Sequence, residues 1–341
     1  MVDDRYLGGP GDIFVSGLDS DMIKSWTSLT KAVHEQGCPI IAQLNHLGRQ
    51  SPAGMGKRGF LAKTIAPSAV PLSLGDSCIA TVSRALVFGT PQAMTLEQID
   101  NLVAQFTRAA KLAVEAGFDG VEIHAAHGFL ISQFLLPSAN KRTDDFGGSA
   151  EKRAELLLRV IRSIRREVPA TFCVGVKVNS ADHMNPKGLE DMLRQVQLIH
   201  NEQVDYIQLS GGSFEDPQML SNRNSMPRSG APSDRTIARE GFFLRASEDI
   251  RRRFPNLILF VTGGFRSREG VNAALGEGAC DATGCQVSRA AHRVMFNESL
   301  PEDEARFDVE AAPYPGWLAT KIRSIVGGAE TKYWSAAMQK L

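Results

Sequence analysis

The sequence lacks the marks of a protein built for charged partners or an oxidising setting. Lys plus Arg and Asp plus Glu both number 38, so the 341-residue chain has no formal net charge. No basic stripe runs along it. The densest basic cluster, Arg251-Arg252-Arg253, falls at the end of a helical pattern, where a solvated face accounts for it; nucleic acid is excluded as the main partner. Cysteines are few: Cys38, Cys78, Cys173, Cys280 and Cys285 form no CxxC pair and no framework spacing, which reads as free thiols in a reducing compartment. No apolar run approaches the roughly 20 residues of a membrane helix. Met1 leads straight into Val2, Asp3, Asp4 and Arg5 rather than a signal-peptide pattern. Internal repeats and low-complexity segments are missing too. The expectation is a soluble, cytoplasmic protein, with no nucleic-acid or membrane partner.

At 43% hydrophobic and 22% charged residues, the composition is that of a globular chain long enough for a large α/β barrel. Met22, Ile23, Trp26, Leu29 and Val33 recur at the helical period, predicting a helix over 19–36. A buried strand at 39–44 follows, and residues 51–94 are rich in Pro, Gly and Ser, as in a functional loop or one holding a hairpin. Thr95 and Gln98 form a capping box that opens a helix to about 116. Helices at 150–168, 188–202, 241–254 and 269–276 alternate with strands at 172–178, 206–210, 257–262 and 282–285, and terminal helices follow. Ile13-Phe14-Val15 reads as a short surface strand, and 213–239 as a polar insertion. This is the rhythm of an α/β protein of the (β/α)8 TIM-barrel-like class, one domain over 1–341. Six barrel strands are counted, so the expected barrel is incomplete, lacking its first two strands. Exposed strand edges invite pairing. Segment 1–18, a terminal helix or a second subunit is expected to cover them, the last making a homodimer.

Residues 117–148, GFDGVEIHAAHGFLISQFLLPSANKRTDDFGG, organise the rest. A turn leads into Val121-Glu122-Ile123-His124, alternating as a buried strand does. The run ends in His124-Ala125-Ala126-His127-Gly128, and ligands of parallel α/β proteins bind at that end of the strands. One histidine there is commonly structural; two, three apart and flanked by small residues, mark a site. The remainder of the stretch reads as an ordered loop.

Several blocks together resemble the old yellow enzyme family, in its NADH:flavin oxidoreductase/NADH oxidase branch. They are AQLNHLGRQ (42–50), APSAVPL (66–72), the central block (117–149), VGVKVNSAD (174–182), LSGGS (209–213) and VTGGFRSREG (261–270). The resemblance implies a (β/α)8 barrel that carries FMN at its C-terminal mouth and passes hydride from NAD(P)H to an activated C=C bond. It also implies that Gln43 bonds the flavin ring, that Lys177 lies beside it, and that Gly263 and Gly264 approach the phosphate. His124 and His127 would hold the substrate carbonyl. Three departures stand out. The family's opening strands are missing. Its proton-donating tyrosine is Phe129, and a phenyl ring has no proton to give. Its phosphate-clamping Gly-Arg pair is replaced by Gln286 and Val287, with Arg289 out of register.

All three departures weaken the flavin's site or its chemistry while leaving the histidine pair. The expectation is therefore a flavin-independent isomerase or epimerase, without a cofactor or metal, moving a proton next to the carbonyl of an enone or ketone in secondary-metabolite biosynthesis. Candidates for the proton-transfer group are His46, Lys177, Asp182 and His183. The alternative is an FMN- and NAD(P)H-dependent ene-reductase.

Overall fold

The computed structural model describes residues 1–9, 11–15, 20–180, 186–215, 243–265 and 267–284. In chain order the elements are α1 (Ser20–His34), β1 (Ile41–Leu44), β2 (Ile65–Ala66), α2 (Cys78–Val87), β3 (Gln92–Ala93), α3 (Leu96–Glu115), β4 (Gly120–Ala125), α4 (Leu130–Leu135), α5 (Ala150–Glu167), β5 (Cys173–Asn179), α6 (Pro186–Asn201), β6 (Tyr206–Ser210), α7 (Leu244–Arg253), β7 (Leu259–Thr262), α8 (Arg268–Gly276) and β8 (Ala282–Gly284). They fall into two compact units. The first comprises Met1–Leu72, Ser83–Val178 and Glu190–Ile207; the second comprises Ser73–Val82, Asn179–Leu189 and the chain from Gln208 onward.

The first unit is built on a parallel sheet. β1 pairs with β4 from Ile41 opposite Gly120 to Leu44 opposite Ile123, and β4 pairs with β5 from Gly120 opposite Cys173 to Ala125 opposite Val178. The chain enters β6 beside β5, where the Asp205 N–H donates to Val174 O at 3.0 Å. Parallel strands need helical crossovers, and the sequence supplies well-capped ones. Thr95 Oγ1 accepts from Gln98 N–H at 3.2 Å, and Gln98 Oε1 accepts from Thr95 N–H at 3.0 Å, completing the expected capping box of α3. Ser149 caps α5 through its hydroxyl alone, accepting from the Lys152 N–H at 3.4 Å. α3 buries Ile99, Leu102, Phe106, Ala109 and Ala113, spaced three and four apart, and packs on the buried Leu156, Leu157, Val160 and Ile164 stripe of α5. Each large apolar side chain so buried contributes about 1.5–3 kcal/mol.

In the second unit β7 pairs with β8 in parallel, Phe260 opposite Ala282 to Thr262 opposite Gly284, and the Gln208 amide of β6 reaches Thr262 Oγ1. The six barrel strands read from the sequence are all present among the described residues, as β1, β4, β5, β6, β7 and β8.

Three expectations change. Ile13-Phe14-Val15 is not a strand; its backbone bonds go to the chain start, with the Met1 ammonium donating to Ile13 O at 2.7 Å and the Val15 N–H to Met1 O at 2.9 Å. Region 51–94 holds no hairpin. Its two-residue strands β2 and β3 pair in parallel, with α2 as the crossover between them. Part of the presumed loop after Gly128 is the short, wholly buried helix α4. The covering of β1 by the N-terminal segment is seen in part. Val2 N–H donates to Asn45 O at 3.0 Å. Met1, Ile13 and Val15, with Trp26, Leu29 and Ala42–Asn45, wall a cavity of about 390 Å³. The terminal helices, most of 213–239, Asp182, His183, Cys285, Gln286, Val287 and Arg289 lie outside the described residues.

Candidate active site

Side chains two apart on a strand share a face, and in the first unit this builds two polar layers. The lower comprises Gln43, Glu122, Gly175 and Tyr206. Gln43 Nε2 donates to Glu122 Oε1 at 2.6 Å, and the Tyr206 hydroxyl donates to Glu122 Oε2 at 3.0 Å. Gly175 is what admits the phenol: a Cβ there would lie 2.0 Å from the Tyr206 ring. Burial and the Glu122 carboxylate together push the Tyr206 pKa far up, which keeps it a hydroxyl donor. Sequence reading missed this layer. Its signal was a carboxylate inside a run otherwise suited to a buried strand.

The upper layer carries His124 and, directly opposite it on β5, Lys177. His124 is 2% exposed and His127 is half-buried. The hydrogen bonds fix the ring protons. The Ala126 N–H donates to His124 Nδ1 at 3.2 Å, so neutral His124 carries its proton on Nε2. That proton is given to His127 Nδ1, 3.1 Å away, which places the His127 proton on Nε2. Burial, then the charge of its neighbours His127 and Lys177, holds the His124 pKa well below its ordinary value. Burial, then Lys177, brings His127 to about 4. Both rings are therefore neutral at physiological pH, and the pair is directional, His124 feeding His127.

His127 stands in the left-handed region at φ 57°, a conformation non-glycine residues take at a cost. Its carbonyl accepts from Gln50 Nε2 at 3.0 Å, and Gln133 Nε2 donates to Gly128 O at 2.8 Å and Leu47 O at 3.1 Å. These buried amides tie the loops after β1 and β4 together. The Phe129 ring centre lies 4.6 Å from that of His124 and 6.3 Å from that of His127.

Lys177 is 5% exposed. Burial lowers its pKa, against the pull of Glu122. Among the described residues no carboxylate lies within ion-pair distance of it, and Gln43 and Tyr206 already bond both oxygens of Glu122. His46 is not brought to the pair. Its Nδ1 accepts from Gly48 N–H at 3.0 Å, its ring sits 4.9 Å from Tyr6, and its Nε2 faces Asp3 Oδ2 at 3.8 Å. Asp3 in turn accepts from Arg5 and Gln105. The loop after β1 turns this ring toward the N-terminal segment. Among the described residues, no cluster of three or more His, Cys, Asp or Glu could hold a metal ion, and no helix is long and apolar enough to cross a membrane.

A sequence model described as the NADH:flavin oxidoreductase / NADH oxidase family matches residues 16–229. The chain belongs to that family. It is 41% identical over 312 residues to NADH-dependent flavin oxidoreductase iliE of Hypocrea jecorina, which covers 89% of this chain and 77% of that protein. It is 45% identical over 304 residues to the iliE protein of Neonectria sp., covering 89% of this chain but 39% of that one. Among solved structures, an old yellow enzyme homologue from Zymomonas mobilis superposes with a TM-score of 0.66 at 22% identity, covering 90% of this chain and 81% of its own. The fold is thus the TIM-barrel-like fold of old yellow enzyme homologues.

The family is a flavin family, so the expectation of a barrel without cofactor finds no support here. The described residues of each unit fit FMN in part. Lys177 is a cationic donor opposite His124 on β5, suited to an electron-rich ring edge. In the second unit Gly263 and Gly264 stand at φ 120° and 89°, backbone that glycine adopts readily and that suits close approach by a phosphate. Gln43 fits less well, since its amide N–H is held by Glu122.

Proposed function

We propose that this family member catalyses proton transfer next to a carbonyl, isomerising or epimerising an enone or ketone, in the biosynthetic setting that the resemblance implies. The observation that carries the reading is Phe129. The family's protonating group would stand there, yet the residue present packs a phenyl ring 4.6 Å from His124. What surrounds it supports enolate chemistry. His127 Nε2–H donates to the substrate oxygen, His124 holds that ring in the donating tautomer, and the charge of Lys177 offsets the charge that develops on oxygen. Neutral imidazoles suit this work, because they polarise the carbonyl without giving up a proton. In this reading Lys177, its pKa lowered by burial, takes the carbon-bound proton as the amine and, once protonated, carries the charge that faces the oxygen.

The second reading is NADH-dependent reduction of an activated C=C bond, favoured by the family and by the names of its relatives. FMN, when bound, supplies the hydride chemistry for that reaction. One experiment separates the two. Purified protein is incubated with an α-substituted cyclic enone in D2O, with and without NADH. Deuterium entering beside the carbonyl without NADH supports proton transfer. Product formed only with NADH, carrying a reduced C=C bond, supports reduction and ends the first reading.

A further inference from the structure

We propose that the turn at Phe60 and Leu61 docks this protein on an anionic membrane surface, those two side chains entering the boundary between headgroups and acyl chains. Nothing in this surface depends on which chemistry the histidine pair performs. The expected chain without a membrane partner gives way to one that lies on a bilayer and does not cross it. The turn is closed by the Ala62 N–H, which donates to Gly59 O at 2.9 Å. Gly, Pro, Asn, Asp and Ser dominate such turns. Here the apex carries Phe60, 69% exposed, and Leu61, 92% exposed. A buried guanidinium holds the apex out. Arg58 Nη1 donates to Ala62 O, and Nη2 donates to Ser51 O at 3.1 Å and Pro52 O at 2.7 Å. The same guanidinium lies 5.8 Å from the Tyr6 ring centre. The turn is thus shaped before any partner arrives, and docking costs little ordering.

The apolar surface continues past the turn. A Cβ on Gly54 would lie 3.2 Å from the Phe60 ring, and the neighbouring Ala53 N–H donates to Val87 O at 2.7 Å. The last turn of α2 exposes Leu86, at 71%, beside Val87. Exposed apolar side chains grouped in this way mark an interaction site. The charges say of what kind. Lys57 and Lys63 flank the apex, both exposed, and Arg84 stands in the last turn of α2. Asp4 offsets Lys57 through a 2.7 Å pair, which leaves the flank cationic on balance. Lysine is depleted at protein–protein interfaces. It is favoured where its stem lies along apolar matter and its ammonium meets lipid phosphate. A basic-flanked apolar apex therefore fits an anionic lipid surface better than a second protein. The turn also belongs to the loop that leaves the C-terminal end of β1, and Gln50 of that loop donates to His127 O at 3.0 Å. Docking here brings the loops of the site to the bilayer, where an apolar carbonyl compound would collect.

The test is co-sedimentation of the full chain with vesicles of phosphatidylcholine alone and of phosphatidylcholine mixed with phosphatidylserine, at low and high salt. The expected result is binding to the phosphatidylserine vesicles that weakens as salt rises, with far less binding to phosphatidylcholine. Joint Phe60→Ser and Leu61→Ser substitution should weaken binding by about 10-fold or more, and so should Lys63→Glu, with melting curves like the parent's because these side chains are exposed. Phe60→Trp should add emission that shifts to the blue on the phosphatidylserine vesicles. No binding to these vesicles overturns the proposal, as does equal binding to neutral ones or binding that the substitutions leave unchanged. Should the double variant melt early, the Phe60→Trp emission decides, and the lack of a shift overturns the proposal. Sedimentation velocity without lipid covers the other occupant. A parent dimer that the double variant dissolves, together with no vesicle binding, makes the turn a surface for a second copy and overturns the proposal.

Discussion

Replacing His124 by alanine should cost far less than replacing His127, although the two residues look equivalent in sequence. His124 spends its Nε2–H on His127 Nδ1 and takes its own tautomer from the Ala126 N–H. In His124→Ala the lost element is one buried neutral hydrogen bond, with a net value of about 0.5–1.5 kcal/mol, which is roughly 2- to 12-fold in rate. In His127→Ala the lost element is the donor to the developing oxyanion, for which about 10²- to 10³-fold is the usual loss. His124→Gln keeps an N–H donor at the end of a side chain and should recover most of the His124→Ala loss. The assay is the second-order rate constant for deuterium exchange into the enone, read by NMR, on variants whose melting curves match the parent. Its pH profile adds a readout that a purely structural role would not move. Burial is the first cause of the low His127 pKa, so opening the site in His124→Ala lets water in and should move the acid limb of the profile up from about 4. Equal losses of 100-fold or more in both alanine variants would refute the relay, because they would mean that both rings donate to the substrate. So would His124→Gln no better than His124→Ala.

Acid should destabilise the protein through the same pair. His127 is held near pKa 4 in the folded state against 6.5 unfolded. Below pH 6.5 the unfolded chain binds a proton that the native one refuses, so stability falls as pH drops from 6.5 to 4, by up to about 3 kcal/mol at about 1.4 kcal/mol per pH unit. His127→Gln should flatten that part of the urea-midpoint profile, and an unchanged slope would remove the argument. Gly175→Ala puts a Cβ 2.0 Å from the Tyr206 ring and should cost about 1–3 kcal/mol as overpacking does; a variant melting with the parent would show that the phenol is not confined there. Phe129→Tyr restores a phenol beside His124, and should raise NADH-dependent reduction of the enone above the parent's level while solvent exchange persists. No gain in reduction would show that more than the proton donor separates this chain from a reductase.

Local signals in the sequence determined the element order. Strand and helix alternation, the Thr95 capping box and the apolar stripes of α3 and α5 are set by residues within one or two turns of each other, so the elements they predict appear within a few residues of their expected bounds. The histidine pair was legible for a similar reason, since three residues at a strand end are enough to place both rings. The same local reasoning failed where the partner lies far along the chain. β2 and β3 are two residues each and exist through pairing across an intervening helix, a contact that no short window contains. His46, read as a candidate proton-transfer group from its strand end, is turned by the following loop toward Asp3 and Tyr6. The different jobs of His124 and His127 were likewise decided in three dimensions. Sequence spacing makes them a pair, but the Ala126 N–H at His124 Nδ1 and the approach of the two rings make His124 the donor and His127 the acceptor of the bond between them. Tautomer, protonation and donor direction depend on burial and on charges brought together from separate strands, and only the folded chain brings them together.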